Sequence, residues 1–285
     1  FVKGNTKERP LGFAAHMDQI EPCRNVNPVI NGNIISTDKT TTLGGDDKAG
    51  ISAIMEAVED IIESGVPHRD IYLVFTCSEE ISMMGTKHMD MSMLPCKELV
   101  VVDATGGAET LAYKAPAMEA IEITFKGKKA HAGIEPEKGI NAIVVASKAI
   151  SKMHIGRIDY ETTSNIGHIE GGSATNIVTD EVTFTAEIRS HSMEKLAAEV
   201  THMEQCCKEA VEEMGACYEM KHEMAYPVLS LEEDCELIQD TVNAMAEERI
   251  TANKMIIGGG SDANVLAGHG YKSVILGCGM INVHT

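Results

Sequence analysis

The sequence predicts a mixed α/β protein, in which one α/β domain made from both ends of the chain is interrupted by an inserted α+β unit. Three observations carry this. Continuous apolar runs alternate with helical periodicity at the start of the chain, the period switches to two near residue 112, and glycine-punctuated α/β character returns after Pro227. A strand buried on both faces reads as an unbroken apolar run, whereas a strand with one covered face alternates.

Leu11–Ala15, Ile71–Thr76 and Leu99–Val102 read as strands of a parallel sheet covered on both sides. Between the first two, Ile51, Ile54, Met55, Val58, Ile61 and Ile62 trace one stripe of a helix, which Gly65 and Pro67 stop. Past residue 112, Ala120–Phe125 alternates with Ile121, Ile123 and Phe125 on one face. A helix with Ile140, Ile143, Val144 and Ile150 on its apolar stripe follows, then strands at Ser164–Ile169 and Glu181–Ile188. A long helix places Leu196, Val200, Met203, Cys207 and Met214 together, and Ala216–Met224 is the last strand. This β-α-β-β-α-β order is the ferredoxin-like unit. After it come a helix over Leu231–Glu248, the turn Gly258-Gly259-Gly260, a short helix from Ser261 and a strand at Ser273–Leu276. The expected domains are therefore 1–111 with 225–285, and 112–224.

Composition narrows the function classes. Forty-three Asp and Glu against 24 Lys and Arg give a net charge of −19, which excludes nucleic acid and anionic lipid as main partners. No apolar run approaches the ~18 residues that span a bilayer, and no signal-peptide pattern is present. The eight cysteines lack C-x-x-C spacing, and Cys206 and Cys207 are adjacent, so reduced thiols and a cytoplasmic setting are expected.

Five short sites carry chemistry, and three of them sit where α/β sheets hold ligands, just past strand carboxyl ends. His16 and Asp18 follow the first strand and point the same way, so the carboxylate can brace the imidazole. Asp46 and Asp47 lie in Gly44-Gly45-Asp46-Asp47-Lys48-Ala49-Gly50, a turn that opens a helix. Glu79 and Glu80 follow the strand Ile71–Thr76, where adjacent carboxylates repel unless a cation or proton lies between them. Asp103 closes the third strand, and His284 follows the glycine-rich segment Gly277–Gly279. Taken singly, these are ordinary surface pairs, helix caps and solvated loops. Together they make a nitrogen and oxygen donor set suited to zinc, and one bridging carboxylate would let two ions share it.

These residues resemble the co-catalytic zinc exopeptidases and amidohydrolases, and within them the peptidase T-like branch. The motifs are HMD at 16–18, LGGDDKAG at 43–50, SEE at 78–80, KKAHAGIEPEKGINAI at 128–143 and GRIDYETTSNIGHIEGGSATNIV at 156–178. They continue, in order, with AEIRS at 186–190, GGGSDAN at 258–264 and HT at 284–285. The resemblance implies a zinc-exopeptidase-like catalytic domain with an inserted lid and dimerisation domain, and hence a homodimer acting on small peptides. It implies two Zn2+ ions, with Co2+ or Mn2+ as substitutes. Asp46 would bridge them, with a cis peptide to Asp47; His16 and Asp103 would complete one site, Glu80 and His284 the other. Glu79 would be the general base for a water held between the zincs, with Asp18 also in the catalytic set. His131 would stabilise the oxyanion, often from the other subunit. Asn176 and Arg189 would hold the substrate's terminal carboxylate, and Gly259 and Ser261 would line the substrate.

The chain departs from the family at Gly45, where Ala is usual, at Gln19 in place of Thr, and at Thr179 in place of Pro. The family also has a helix and strand before the strand ending at His16, and others after the last zinc histidine, so a fragment of a longer chain or a truncated protein is expected. The leading activity is an aminopeptidase of the tripeptidase kind. An N-acyl amino acid deacylase or carboxypeptidase shares the chemistry. A non-catalytic metal-binding homologue would have no use for Glu79, and a flavodoxin-like nucleotide binder lacks a phosphate-cradling glycine turn after its first strand.

Overall fold

The structure is a computed structural model that describes residues 1–284. The chain divides into two compact units, 1–115 with 229 onward, and Pro116–Val228.

In the first unit, β1 (Leu11–His16) is followed by the hairpin β2 (Pro28–Asn31) and β3 (Ile34–Thr37), then α1 (Gly45–Ser64), β4 (Ile71–Thr76) and the single turn α2 (Met84–Lys87). Strands β5 (Glu98–Thr105) and β6 (Thr110–Ala115) lead into the second unit. That unit holds β7 (Ala117–Lys126), α3 (Ala142–Ile150), β8 (Gly156–Arg157), β9 (Thr162–Gly171), β10 (Glu181–Ser190), α4 (Met193–Met214) and β11 (Cys217–Tyr226). The chain returns to the first unit with β12 (Leu229–Ser230), α5 (Glu236–Glu247), β13 (Asn253–Ile256), α6 (Asp262–Gly268) and β14 (Lys272–Met280).

The sheet of the first unit runs β12-β6-β14-β5-β1-β4, with β13 on β6. Its centre is parallel: β1 pairs β4 on one side and β5 on the other, and β5 pairs β14. Each strand feeds both faces. Leu99 and Val101 join Ala14, Leu266 and Ile275 in one cluster, while Val100 and Val102 join Ala15, Ile54, Ile238 and Val274 in the other. That division is why these strands read as unbroken apolar runs. The parallel register sets His16 opposite Thr76, and Ala14 opposite Val101, so His16 and Asp103 end up level at the carboxyl edge.

In the second unit the order is β11-β7-β10-β9-β8, every pairing antiparallel. This is the ferredoxin-like arrangement with one short extra edge strand. Ile121, Ile123, Phe125, Val182, Phe184 and Ile188 pack with α3 and α4. Phe125 and Phe184 have no exposed surface, and burying each side chain contributes about 1.5–3 kcal/mol.

Two sequence expectations are corrected. The stripe expected on α3 is displaced: Ile143 and Val144 are 43% and 42% exposed, and Ala142, Val145, Ala146 and Ala149 face the core. Small side chains let this helix lie close to the sheet and to α4, so the bulkier aliphatics are carried outward. The helix expected from Leu231 starts at Glu236, because Leu229–Ser230 pairs with β6 and the Leu231 amide still donates to the Tyr113 carbonyl. All eight cysteines are free thiols. Among the described residues, no helix is long and apolar enough to cross a membrane.

Candidate active site

At the carboxyl edge of the first sheet, β1 delivers His16, β5 delivers Asp103 and the turn after β4 delivers Glu79 and Glu80. Asp46 enters from the start of α1, where its backbone and that of Asp47 are not yet helical and the peptide between them is cis. Gly50 lets α1 approach β5: a Cβ there would lie 2.0 Å from the Val102 carbonyl oxygen.

Asp46 is the centre of the arrangement. Its Oδ1 lies 2.8 Å from His16 Nε2, and its Oδ2 lies 3.4 Å from His284 Nε2. His16 Nε2 is also 3.7 Å from Asp103 Oδ1, and His284 Nε2 is 3.0 Å from Glu80 Oε2. Two donor sets result, His16–Asp46–Asp103 and Asp46–Glu80–His284, each within 4.8 Å and sharing Asp46. Their ion-pair partners among the described residues are the two histidines. Buried Glu80 Oε1 has no hydrogen-bond partner. Three carboxylates around two imidazoles, one of them shared and one with an orphaned oxygen, fit a pair of divalent cations of zinc's ligand preference.

Asp18 does more than face His16. Its Oδ1 is 3.6 Å from His16 Nδ1, which has no hydrogen-bond partner, while its two oxygens accept the backbone amides of Glu79 (3.1 Å) and Glu80 (3.2 Å). Asp18 therefore ties the β1 end to the glutamate turn. Asp47, fully buried, accepts the His16 amide at 3.2 Å and the Gly50 amide at 3.1 Å, anchoring the backbone of both.

The crowding of acids shows in proton affinity. Burial pushes Glu79 up to about 8, His16 pulling it down and the charges of Asp262, Glu80 and Asp46 adding to the rise. Burial likewise raises Asp47 to about 7, and lifts Glu80 and Asp103. Burial would lower His16, but the hydrogen bond to Asp46 and the charges of Asp103, Glu79 and Asp46 outweigh it and hold the imidazole at about 10.

The remaining sequence candidates belong to α6 with the turn before it and to the second unit. Ser261 caps α6: its hydroxyl accepts the Ala263 amide, and its own amide donates to Asn264 Oδ1. Beside it, Gly259 is open, with nothing within 4 Å of where a Cβ would stand. In the second unit, His131 bridges to Ile177, and the Ala132 amide donates to the carbonyl of exposed Asn176. The Gly133 amide donates to His131 Nδ1 at 3.1 Å, so a neutral ring carries its proton on Nε2. Arg189 is engaged in a two-point pair with Glu187, Nε to Oε1 at 2.9 Å and Nη2 to Oε2 at 3.0 Å.

Sequence reasoning missed the anchoring by Asp47 and the buried acid Asp262, which accepts hydroxyls of Thr76 and Thr86. The available signal was an acid inside a glycine motif that opens an apolar helix.

The profile of a peptidase dimerisation domain matches residues 118–215, and that of an M42 glutamyl aminopeptidase matches residues 20–127. Over 284 residues the chain is 41% identical to the uncharacterised protein YqjE of Bacillus subtilis, covering 100% of this chain and 76% of that protein. The crystal structure of aminopeptidase PepT from Bacillus cereus is 37% identical with a TM-score of 0.91, covering 100% of this chain and 76% of that one. The chain belongs to the peptidase T-like peptidases. A tripeptidase structure from Staphylococcus aureus is 36% identical with a TM-score of 0.95, again over 100% and 76%.

Proposed function

We propose that the chain is a metal-dependent peptidase that removes the amino-terminal residue of small peptides, tripeptides above all, as a homodimer. The observation that carries this is the shared carboxylate: Asp46 presents one oxygen to His16 and the other to His284, with Glu79 alongside and outside both donor sets. His16, Asp46 and Asp103 would hold one zinc ion, and Asp46, Glu80 and His284 a second. Bound there, the ions would acidify water and polarise the scissile carbonyl.

Glu79 moves the proton. As a carboxylate it takes one from the attacking water, and as an acid it passes it to the nitrogen of the departing residue. Asp18 keeps Glu79 in place through its amide. Asp47 holds the His16 backbone, so the first donor set keeps its shape while the proton moves. His131, with its proton on Nε2, donates to the developing oxyanion. Arg189 would meet a peptide carboxylate with a guanidinium that Glu187 already orients through Nε and Nη2.

The test is a hydrolysis screen of the zinc-loaded protein against tripeptides, their N-acetylated forms, dipeptides and N-acyl amino acids. Release of the first residue from free tripeptides, blocked by acetylation, is expected. Hydrolysis confined to N-acyl amino acids would replace the aminopeptidase reading with deacylation, and carboxyl-terminal release would replace it with a carboxypeptidase.

A further inference from the structure

The turn presenting Glu79 and Glu80 is held by a carboxylate that belongs to neither donor set. It runs from Cys77 to Met83, between β4 and α2, and three of its residues have left-handed backbones without being glycine: Ser78 (φ 59°), Ser82 (φ 66°) and Met83 (φ 57°). L-residues resist that conformation, and three in one turn persist only where the surroundings over-determine them. Backbone bonds close the inside of the turn: Met83 to the Glu79 carbonyl, Met84 to Ser78 and Gly85 to Cys77, at 2.8, 2.9 and 3.0 Å. Gly85 has no room for a side chain, since a Cβ would stand 2.1 Å from the Cys77 oxygen.

Both ends of the turn meet on Asp262. Thr76 Oγ1, at the end of β4, donates to Asp262 Oδ2, and Thr86 Oγ1, in α2, donates to Oδ1, each at 2.5 Å. All three residues are buried, Thr86 completely. A buried acid satisfied by two hydroxyls is an expensive way to join a strand to a helical turn, where apolar packing would serve. The arrangement has a directional use: two hydrogen bonds on one planar group set the spacing of the turn's ends.

We propose that Asp262 is a positioning residue for catalysis, cinching the two ends of the Glu79–Glu80 turn and thereby setting where the Glu79 carboxylate stands relative to Asp46. This rests on the proton-transfer role given to Glu79 above. It assigns part of the Gly258–Asn264 segment to the catalytic side of the site rather than to substrate lining.

The test compares the wild type with Thr86→Val, which keeps shape and removes the hydroxyl, Thr86→Ser, which keeps the hydroxyl, and Asp262→Asn. Each is loaded with Co2+ and followed by tripeptide kinetics, metal content, the visible Co2+ spectrum and melting temperature. Thr86→Val is expected to keep its metal content and lose about 10²-fold in kcat, the scale set by ~1 Å misplacement, with KM within ~3-fold. Its Co2+ bands shift, because Glu80 rides on the same turn, and Thr86→Ser restores both rate and spectrum. Unchanged kcat and spectrum in Thr86→Val and Asp262→Asn overturn the proposal. So does a loss that follows melting temperature alone with the spectrum unmoved. If Thr86→Val does not fold, Asp262→Asn decides by the same criteria. If the wild type cleaves no tripeptide, the peptidase reading fails, while the Co2+ spectra still decide whether Asp262 positions the turn.

Discussion

Stripping the site of metal and then restoring zinc at pH 7 should expel at least about two protons per chain, and this lower bound follows from the acid cluster. In the protein alone Glu79 sits at about 8 and His16 at about 10, so at pH 7 the first is about 90% protonated and the second almost fully so. Asp47, at about 7, is about half protonated, and the raised carboxyls of Asp103 and Glu80 add to the count. Zinc requires a neutral His16 and places positive charge beside Glu79 and Asp47, so most of these protons leave. The same groups set the sign of the pH dependence. Glu79 and Asp47 are raised from 4.5 and 3.8, and His16 from 6.5, so the chelated native state binds more protons than the unfolded chain. Their contribution to stability is complete below the unfolded values and is lost as pH rises through the folded ones. The chelated protein should therefore melt at progressively lower temperature between pH 5 and 9. Zinc should stabilise it most near and above neutrality and progressively less as protons compete below about pH 6. Calorimetric titration of the chelated protein with zinc in buffers of different ionisation enthalpy reads the proton count directly. Release of no protons at pH 7, or a chelated protein that grows more stable with pH, would refute the assignment of this cluster as the metal centre.

Three further outcomes are expected. Glu79→Gln should keep its metal and lose about 10²–10⁴-fold in kcat, and activity within a few-fold of wild type would remove the base role. Gly50→Ala should lower both melting temperature and zinc content, because its Cβ would stand 2.0 Å from the Val102 oxygen and 2.5 Å from Asp47 Oδ1; such overpacking costs about 1–3 kcal/mol. Mixing inactive His131→Ala with inactive Glu79→Gln, after subunit exchange has been shown with tagged protein, should restore activity in heterodimers if His131 serves the partner subunit, whereas failure despite exchange confines it to its own chain.

Much of the architecture was legible in the residues because burial writes its period into the chain. Unbroken runs such as Leu99–Val102 and alternating ones such as Val182–Ile188 state how many faces a strand must cover, and the ligand types His16, Asp46, Glu80, Asp103 and His284 stand out as polar groups at the ends of apolar elements. Other features depend on what lies opposite. The packing face of α3 differs from the expected stripe because Ile143 and Val144 outrank alanine in hydrophobicity, while the close approach of helix to sheet rewards alanine. The β2–β3 hairpin, exposed along most of its length, carries almost no burial signal beyond its Asn31-Gly32 turn. The candidate site shows the same division. Residue type marks the acids and imidazoles as metal-type donors, since carboxylates crowded at a buried edge call for a cation or a proton among them. Only the tertiary structure decided that Asp46 faces both histidines, that Asp18 holds two amides besides lying against an imidazole, and that Asp262 joins Thr76 to Thr86. Those are pairings between residues 30 to more than 200 positions apart, and a hydrogen bond's short reach makes them depend on where the folded sheet and helices place each atom.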